Sequence, residues 1–364
     1  MKFLNADGYQ SLQLDIVGFL AILGESSVLV QSQVAALSYF FLLPRLVPAP
    51  QALIRTSRPE RLEPSTGKVV GAYSGGFRDR VNHLAHLLHE GNTLPAYSVR
   101  CEKVTYTANL SSDVKARLFG PITWLSILGF FMSAALLALA IGLNDGFALV
   151  AILALSFLST LVGIGNRWSL KLRKRVADRA VPRSDVVLNY PNGSFLIIKC
   201  DEYTARQLYW HPEECDYMVG PTAYRAISLC GTLILMFGVI CLGNATLNLQ
   251  VGFAASYIIL NAAYWVVAAL PAKWNWDLSS YCVERINYEG PEKMETFTDA
   301  LWKAIAITQT AHWVSVGSIA PVSEGWENWI KEAERVAESG PGVWDEECRR
   351  GKRVASVGLQ QCPD

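Results

Sequence analysis

The sequence has little charge. Asp, Glu, Lys and Arg together make up 18% of its 364 residues, against about 25% in an ordinary soluble domain. The 32 basic and 32 acidic residues cancel, so no net electrostatic field favours a nucleic acid as a partner. Histidine is also scarce, and five residues are too few for the several histidine-rich boxes of a membrane di-iron hydroxylase. The shortage of charge predicts a membrane protein, and its neutrality predicts no nucleic-acid partner.

Motifs that would indicate a catalytic or cofactor site are absent. The sequence has no Gly-X-Ser-X-Gly elbow, no phosphate loop ending in Gly-Lys-Ser/Thr, no Gly-X-Gly-X-X-Gly after a strand and no His-Glu-X-X-His. Its eight cysteines include no Cys-X-X-Cys pair, and reduced thiols are the default on a cytosolic face. The sequence therefore assigns no catalytic residue and no cofactor-binding residue, and it leaves any cofactor unknown.

Apolar residues are abundant instead, at 51% of the chain, and they are gathered in charge-free runs. A helix needs about 20 apolar residues to cross a bilayer core. Four runs meet or approach this length and form two pairs, each joined by a tight turn. The runs are 118–143, 147–164, 226–242 and 247–270. We predict four membrane spans arranged as two helical hairpins.

Basic residues lie at only one set of span ends. Because Lys and Arg stay preferentially on the cytoplasmic side, both termini and the central loop are predicted to be cytosolic. The two tight turns contain no basic residue. The basic residues that set this orientation are Lys115, Arg117, Arg167, Lys171, Arg173, Lys174, Arg175, Arg179, Arg183, Arg225 and Lys273.

The predicted fold is mainly α: a four-helix transmembrane bundle with a small cytosolic α+β domain. The domain is built from the N-terminal region, the central loop and the C-terminal tail. The predicted division is an interfacial or core-packed apolar helical pair at 1–43, a cytosolic segment at 44–117, hairpin 1 at 118–164, a cytosolic loop with a β-hairpin and helix at 165–225, hairpin 2 at 226–270 and a cytosolic helical tail at 271–364. A fifth span within 16–43 is the alternative for the N-terminal region.

The segments outside the spans predict ordered structure. Strands at 186–190 and 195–200 flank an Asn-Gly turn, which is a strong hairpin signal, and Asp201 is placed to cap a helix over 202–210. Further strands are predicted at 97–106 and 281–288, so three distant segments share one sheet. The tail predicts helices at 296–314 and 323–338, the second with an apolar face of Trp326, Trp329, Ile330, Ala333 and Ala337.

Two local charge imbalances are hidden by the neutral total. Residues 167–183 carry a net charge of +6, and residues 324–347 carry −6. A basic segment beside a span attracts anionic lipid headgroups, so 167–183 is a candidate lipid contact. A topology signal, or an interaction with the acidic tail, remains an alternative explanation for it.

Three of the five histidines lie in 77–90, where the apolar spacing predicts one helix. At 100° per residue, Asp79, His83, His86 and Glu90 share a stripe of about 60° on that helix. Imidazoles and carboxylates arranged in this way are ligands for zinc or iron. The metal site predicted from this stripe is Asp79, His83, His86 and Glu90, and a solvated or domain-docking helix face is the alternative.

The spans contain no ionisable residue of the kind that marks a transport pathway. Asn261 is the one strongly polar residue deep in a span, and an interhelical hydrogen bond is predicted for it. Tryptophans within or near span ends predict interfacial anchors. They are Trp124, Trp168, Trp265, Trp274 and Trp276.

Three strings carry a family resemblance: Gly-Ser-Phe-Leu-Ile-Ile-Lys-Cys-Asp at 193–201, Ala-Ser-Tyr-Ile-Ile-Leu-Asn at 255–261 and Trp-Asp-Leu-Ser at 276–279. In these the chain resembles a family of uncharacterised multi-pass membrane proteins of filamentous fungi. The resemblance implies a fungal membrane setting and no activity. We predict a membrane-anchored interaction or regulatory module, with the bilayer and a protein as partners; the alternative is a membrane-bound metal-dependent enzyme acting on a lipophilic metabolite.

Overall fold

The structure, a computed structural model, describes residues 25–338 except for 39, 41, 108–114, 171–183 and 289–290. These residues form two compact units. A helical unit comprises 25–60, 115–170 and 215–277, and a sheet unit comprises 61–107, 184–214 and 278–338. Each unit is therefore assembled from three separate stretches of sequence.

The helical unit contains five α-helices and two short two-stranded ladders. Its elements are α1 Glu25–Leu37, β4 Lys115–Ala116, α3 Pro121–Gly142, α4 Gly146–Asn166, β5 Trp168–Leu170, β8 Cys215–Tyr217, α6 Pro221–Gly243, α7 Leu247–Ala269 and β9 Trp276–Asp277, with 3₁₀ turns at Pro50–Leu53 and Ala272–Asn275.

The sheet unit contains six strands and five α-helices among the described residues. Its elements are β1 Ser65–Gly71, β2 Phe77–Val81, α2 His83–His89, β3 Val99–Tyr106, β6 Val186–Asn189, β7 Phe195–Lys199, α5 Glu202–Ala205, a π-helical turn Arg206–Trp210, β10 Tyr281–Ile286, α8 Phe297–Thr308, α9 His312–Val316 and α10 Glu324–Glu338, with a 3₁₀ turn at Gly91–Thr93.

Helices α3, α4, α6 and α7 are long and apolar enough to cross a membrane. They correspond to the four predicted spans. Helix α6 packs mainly on α4, and α7 packs mainly on α3. The two hairpin turns are joined by Asp145, whose carboxylate accepts hydrogen bonds from the backbone N–H of Ala148 at 3.0 Å and of Thr246 at 2.7 Å. One acidic side chain thus caps α4 and holds the second turn beside the first.

An N-terminal stretch at 42–53 packs into the helical unit. The backbone N–H of Leu46 donates to the carbonyl of Gly129 in α3 at 3.3 Å. The N–H of Arg45 donates to Ser159 Oγ in α4 at 3.0 Å. Leu46 and Ala49 are almost fully buried. This stretch is an integral part of the helical unit and not a free linker.

Two arginines fasten this N-terminal region to the span ends. Arg58 donates to the carbonyls of Gly165 and Val219 at 2.6 and 2.7 Å, and its guanidinium lies over the ring of Tyr217. Arg167 donates to the carbonyl of Ala36 at the end of α1 at 2.8 Å. Arg167 is the first residue of the predicted basic segment 167–183, and residues 171–183 of that segment lie outside the described residues, as does 1–24.

The predicted tryptophan anchors divide into two groups. Trp124, Trp265 and Trp274 are 59%, 61% and 48% exposed, as interfacial residues are. Trp168 and Trp276 are buried and pack edge to face. The anchor prediction is wrong for these two, because β5 and β9 turn their rings into the interior of the helical unit.

The six-stranded sheet confirms that three distant segments share one sheet. The strand order is β10-β3-β7-β6-β1-β2. The β3–β7 pair is parallel, with Val99 opposite Phe195, and all other pairs are antiparallel. Between β6 and β7, Gly193 takes a positive φ of 76° and Asn192 Oδ1 accepts the N–H of Ser194. The predicted hairpin is therefore confirmed.

Helices α8, α9 and α10 pack over one core with the sheet. The predicted face of α10 lies in or against that core, with Trp329 and Ala333 buried. The single helix predicted over 296–314 is wrong, because Gln309 adopts a left-handed conformation and ends α8 at Thr308. The break lets Trp313 enter the core, where it packs edge to face on Phe195.

Candidate functional site

The helix predicted over 77–90 is only partly formed. Phe77–Val81 is β2, paired with β1 so that Phe77 lies opposite Val70, and α2 begins at His83. The helical prediction for 77–81 is wrong because these residues satisfy their backbone by pairing with β1, a partner that their own spacing of apolar residues does not reveal. The stripe on which the metal site was based therefore does not exist.

The four predicted ligands are not brought together. Asp79 is exposed on β2, and Glu90 is exposed with a φ of 50° at the end of α2. His83 Nδ1 lies 3.2 Å from the carbonyl oxygen of Glu63, and burial lowers the pKa of His83. His86 is buried with its ring 5.8 Å from that of Tyr190. Within the ranges that the structure describes, no three His, Cys, Asp or Glu side chains form a group able to hold a metal ion.

The third histidine of this segment, His89, lies at the centre of a buried polar network. Its Nδ1 is 2.5 Å from Glu102 Oε2, and its Nε2 is 2.7 Å from the hydroxyl of Tyr209. The His89 side chain is 0% exposed and that of Glu102 is 8% exposed. We call these three residues the Glu102–His89–Tyr209 network. The network joins α2, β3 and the π-helical turn, and both imidazole nitrogens of His89 take part in its hydrogen bonds.

Arg100 places a positive charge beside this network. Its guanidinium lies 3.9 Å from Glu102 Oε1, and its Nε donates to Glu292 at 2.8 Å. Glu292 also pairs with the more exposed Arg285. The buried carboxylate therefore has two cationic or potentially cationic neighbours, which offset part of the cost of removing it from water.

A carboxylate, an imidazole and a hydroxyl in series resemble the parts of a general-base relay. The burial of the network argues against a catalytic relay. Tyr209 is fully buried, and burial raises the pKa of its hydroxyl well above its ordinary value. A group that neither ionises readily nor reaches solvent is a poor nucleophile. The network is best explained as a polar element of the core that fixes α2 and the π-helical turn on the sheet.

Comparison of the chain with protein-family models, curated proteins and solved structures finds no significant match. The interpretation of the site therefore depends on its geometry.

Sequence analysis did not identify His89, Glu102 or Tyr209 as a set. They lie on three elements, and Tyr209 is separated from His89 by 120 residues. The one available signal was the position of His89 on the same apolar face as Ala85 of α2. A histidine on a core face needs buried partners, but the sequence does not say which.

The structure bears on the polar residues in and beside the spans. The Oδ1 atom of Asn261 is buried and accepts no hydrogen bond from any residue that the structure describes, so the interhelical hydrogen bond predicted for Asn261 is not made through this oxygen. Beside the spans, one buried ionisable residue belongs to the helical unit. Arg45, from outside the spans, is buried, lies beside Tyr264 and donates to the carbonyl of Phe40 at 3.1 Å.

A second buried acid, Glu213, caps helix α2 from a distance. Its Oε1 accepts the backbone N–H of Leu84 at 3.0 Å. The usual capping residue, Asn82, instead directs its amide to the carbonyls of Leu208 and His211 at 2.7 Å. Burial raises the pKa of Glu213 to about 7, although hydrogen bonds from α2 and the Arg78 guanidinium oppose the rise.

We expect the stability of the sheet unit to fall as pH rises from about 5 to 7. The folded state keeps a proton on Glu213 that the unfolded chain, with its ordinary pKa of 4.5, has already released. The raised pKa corresponds to a loss of about 3 kcal/mol across this window, with no further change above it. Hydrogen exchange of the α2 and β7 amides, corrected for intrinsic rates, measures it in the full-length protein.

The Glu213→Gln variant keeps the carbonyl cap and removes the titrating group. The free energy of unfolding of this variant is expected to lack the fall that Glu213 causes between about pH 5 and 7. The difference between wild type and variant therefore isolates Glu213 from His83, whose lowered pKa makes stability rise with pH. Glu214→Gln, at the exposed neighbouring acid, is the matched control. Equal pH profiles for wild type and Glu213→Gln would contradict the assignment.

Proposed function

We propose that the protein is an integral membrane protein in which two helical hairpins anchor a cytosolic α+β domain, and that this domain is an interaction or regulatory module. The observation that supports it best is the sheet itself. Strand β3 precedes the first candidate span, β7 lies between the second and third, and β10 follows the fourth.

The pairing of these strands restricts how the chain crosses a bilayer. Strand β3 is hydrogen-bonded to both β7 and β10, and strands of one sheet must lie on the same side of a membrane. An even number of crossings must therefore separate each pair of strands. Two candidate spans lie between β3 and β7, and two more lie between β7 and β10, which satisfies this condition with all four helices inserted.

The basic residues support a cytosolic position for the sheet. Arg117, Arg167, Arg225 and Lys273 lie at the span ends from which the sheet segments continue, while the turn around Asp145 has no basic residue. The positive-inside preference assigns the basic side to the cytoplasm. The fungal setting implied by the resemblance and the lipid contact of 167–183 stay predictions.

The role of the domain as a module is supported by its surface and interior together. The Glu102–His89–Tyr209 network is enclosed, and the described residues show no observation that favours the metal-dependent enzyme. Helix α10 buries Trp329 and presents to solvent four acids and two bases, a net charge of −2; they are Glu324, Glu327, Lys331, Glu332, Arg335 and Glu338. An acidic, ordered helix face suits a contact with a basic surface of a protein partner.

We expect a membrane-impermeant maleimide to modify Cys282 in inside-out vesicles and to leave it unmodified in sealed right-side-out vesicles. Cys282 is an exposed thiol on the edge strand β10, and peptide mass spectrometry distinguishes it from the other cysteines. Gly243→Cys, in the second turn where a Cβ meets no atom within 4 Å, is expected to show the reverse pattern. Modification of Cys282 from the outside would overturn the topology.

The same reagent tests the module role. A cysteine introduced as Glu327→Cys on the exposed face of α10 is expected to react more slowly in native membranes than in the purified protein, because a partner covers it. Cys282 is the internal control and should react equally in both. Equal rates for both residues in native membranes and after purification would count against a partner on this face.

A further inference from the structure

We propose that a groove between the first and fourth spanning helices binds one anionic phospholipid, with Arg117 contacting the headgroup phosphate and the groove walls contacting an acyl chain. The inference rests on the membrane insertion proposed above. It names a lipid partner and a site for it within the helical unit.

The walls of the groove fit a chain that lies parallel to the spans. They come from the first turns of α3, through Trp124, Leu125 and Leu128, and from the last turns of α7, through Ala263, Val266 and Leu270. Its volume is about 860 Å³, within the ~300–1,000 Å³ usual for small-molecule sites. Val266 is 63% exposed, so the groove is open where acyl chains would surround the helix.

The mouth of the groove is fixed by the fold. Strand β4 immediately before α3 pairs with β9 shortly after α7, and the N–H of Arg117 donates to the carbonyl of Asn275 at 2.9 Å. The backbone is so close here that a Cβ on Gly120 would lie 3.2 Å from the carbonyl oxygen of Trp274. Arg117 and Trp274 therefore line the mouth on rigid backbone, before any ligand arrives.

The charge at the mouth selects the headgroup. Arg117 is exposed, and no carboxylate forms an ion pair with it among the described residues. A guanidinium binds phosphate oxygens through paired hydrogen bonds. With one guanidinium bound, a headgroup of net charge −1 makes the site neutral, whereas a zwitterionic choline headgroup leaves the site with a surplus positive charge. Trp124 and Trp274 supply amphipathic rings that favour the headgroup level.

The test uses the full-length protein in nanodiscs made with equal amounts of phosphatidylcholine and phosphatidylserine. Native mass spectrometry counts the lipids that remain bound after release. One phosphatidylserine per chain is expected, and Arg117→Gln is expected to lower the retained serine-to-choline lipid ratio about tenfold, as loss of one hydrogen bond to a charged group does. Arg225→Gln, at an exposed basic residue of another span end outside the groove, should leave the ratio unchanged.

A second variant tests the apolar part of the site. Ala263→Trp fills the groove and is expected to remove the bound lipid while Arg117 is intact. Three outcomes would overturn the proposal. Equal retention of both lipids by the wild type would indicate annular lipid, and an equal loss in Arg225→Gln would indicate an effect of general surface charge. Paired chains without bound lipid would indicate that a second copy of the chain covers the groove. Failure of the wild type to enter nanodiscs would instead overturn the proposed membrane function.

Discussion

Replacing His89 by alanine is expected to lower the free energy of unfolding of the sheet unit by about 3–5 kcal/mol. The imidazole holds Glu102 at 2.5 Å and the Tyr209 hydroxyl at 2.7 Å. Its removal leaves a carboxylate that is only 8% exposed without its nearest partner, and it leaves a cavity in a side-chain position that solvent does not reach. Removing the nearest partner of a buried carboxylate is costly, because the carboxylate stays buried with one hydrogen bond fewer.

Hydrogen exchange of the β3 and β7 amides in the full-length protein measures this loss, since these central strands open only when the whole unit does. His312→Ala, at an exposed histidine of the same unit, is the matched control and should change the exchange by less than about 0.5 kcal/mol. The double variant His89→Leu with Glu102→Leu should recover part of the loss, because it removes the stranded charge. A His89→Ala variant within about 1 kcal/mol of the wild type would contradict the role of the network.

The elements that sequence analysis predicted well are those specified locally. The hairpin around Gly193 needs only a residue with positive φ between two β-rich runs, and the helix start at Asp201 needs only a side-chain oxygen within reach of the Thr204 N–H, here at 2.7 Å. The four long helices follow from charge-free runs that have no other way to satisfy their backbone in a bilayer. Neighbouring residues contain all of this information.

The elements that were predicted wrongly depend on partners far along the chain. Strand β2 exists because β1 offers it hydrogen bonds, and helix α2 starts at His83 because Glu213, 129 residues away from Leu84, caps it. The Glu102–His89–Tyr209 network likewise requires three elements to meet. Periodicity describes one segment at a time, so it assigned two of the three histidines of 77–90 to a single stripe and missed His89, which is the most deeply buried.

The N-terminal region is the clearest case of a structure hidden from composition. The sequence predicts an apolar helical pair at 1–43 and a cytosolic segment from residue 44, yet 42–53 packs among the long helices. The small residues of the spans were the available signal. Gly129 accommodates the backbone of Leu46, and Ser159 accepts the N–H of Arg45. Small residues in a span allow a neighbour to approach closely, but nothing local distinguishes a helix from an extended segment as that neighbour.

Gly129→Ala is therefore expected to destabilise the helical unit by about 3 kcal/mol. A Cβ at this position would lie 2.6 Å from the carbonyl oxygen of Leu46, and that atom belongs to the backbone and cannot turn aside as a side chain can. Relief requires the 42–53 segment to move away from α3, which breaks the bond from the Leu46 N–H to the Gly129 carbonyl and exposes part of a buried stretch. Thermal unfolding of the full-length protein in one detergent measures the change.

Gly142→Ala provides the matched control, since it is also a glycine of α3 and its added Cβ meets no atom within 4 Å. It should leave the unfolding temperature unchanged or slightly raised, because alanine favours a helix over glycine. An equal effect of the two substitutions would show that the first reflects glycine flexibility and not the close backbone approach. A selective loss in Gly129→Ala, accompanied by faster proteolysis within 42–53, would identify the segment as a structural part of the spanning bundle, because only contact with Leu46 distinguishes the two sites.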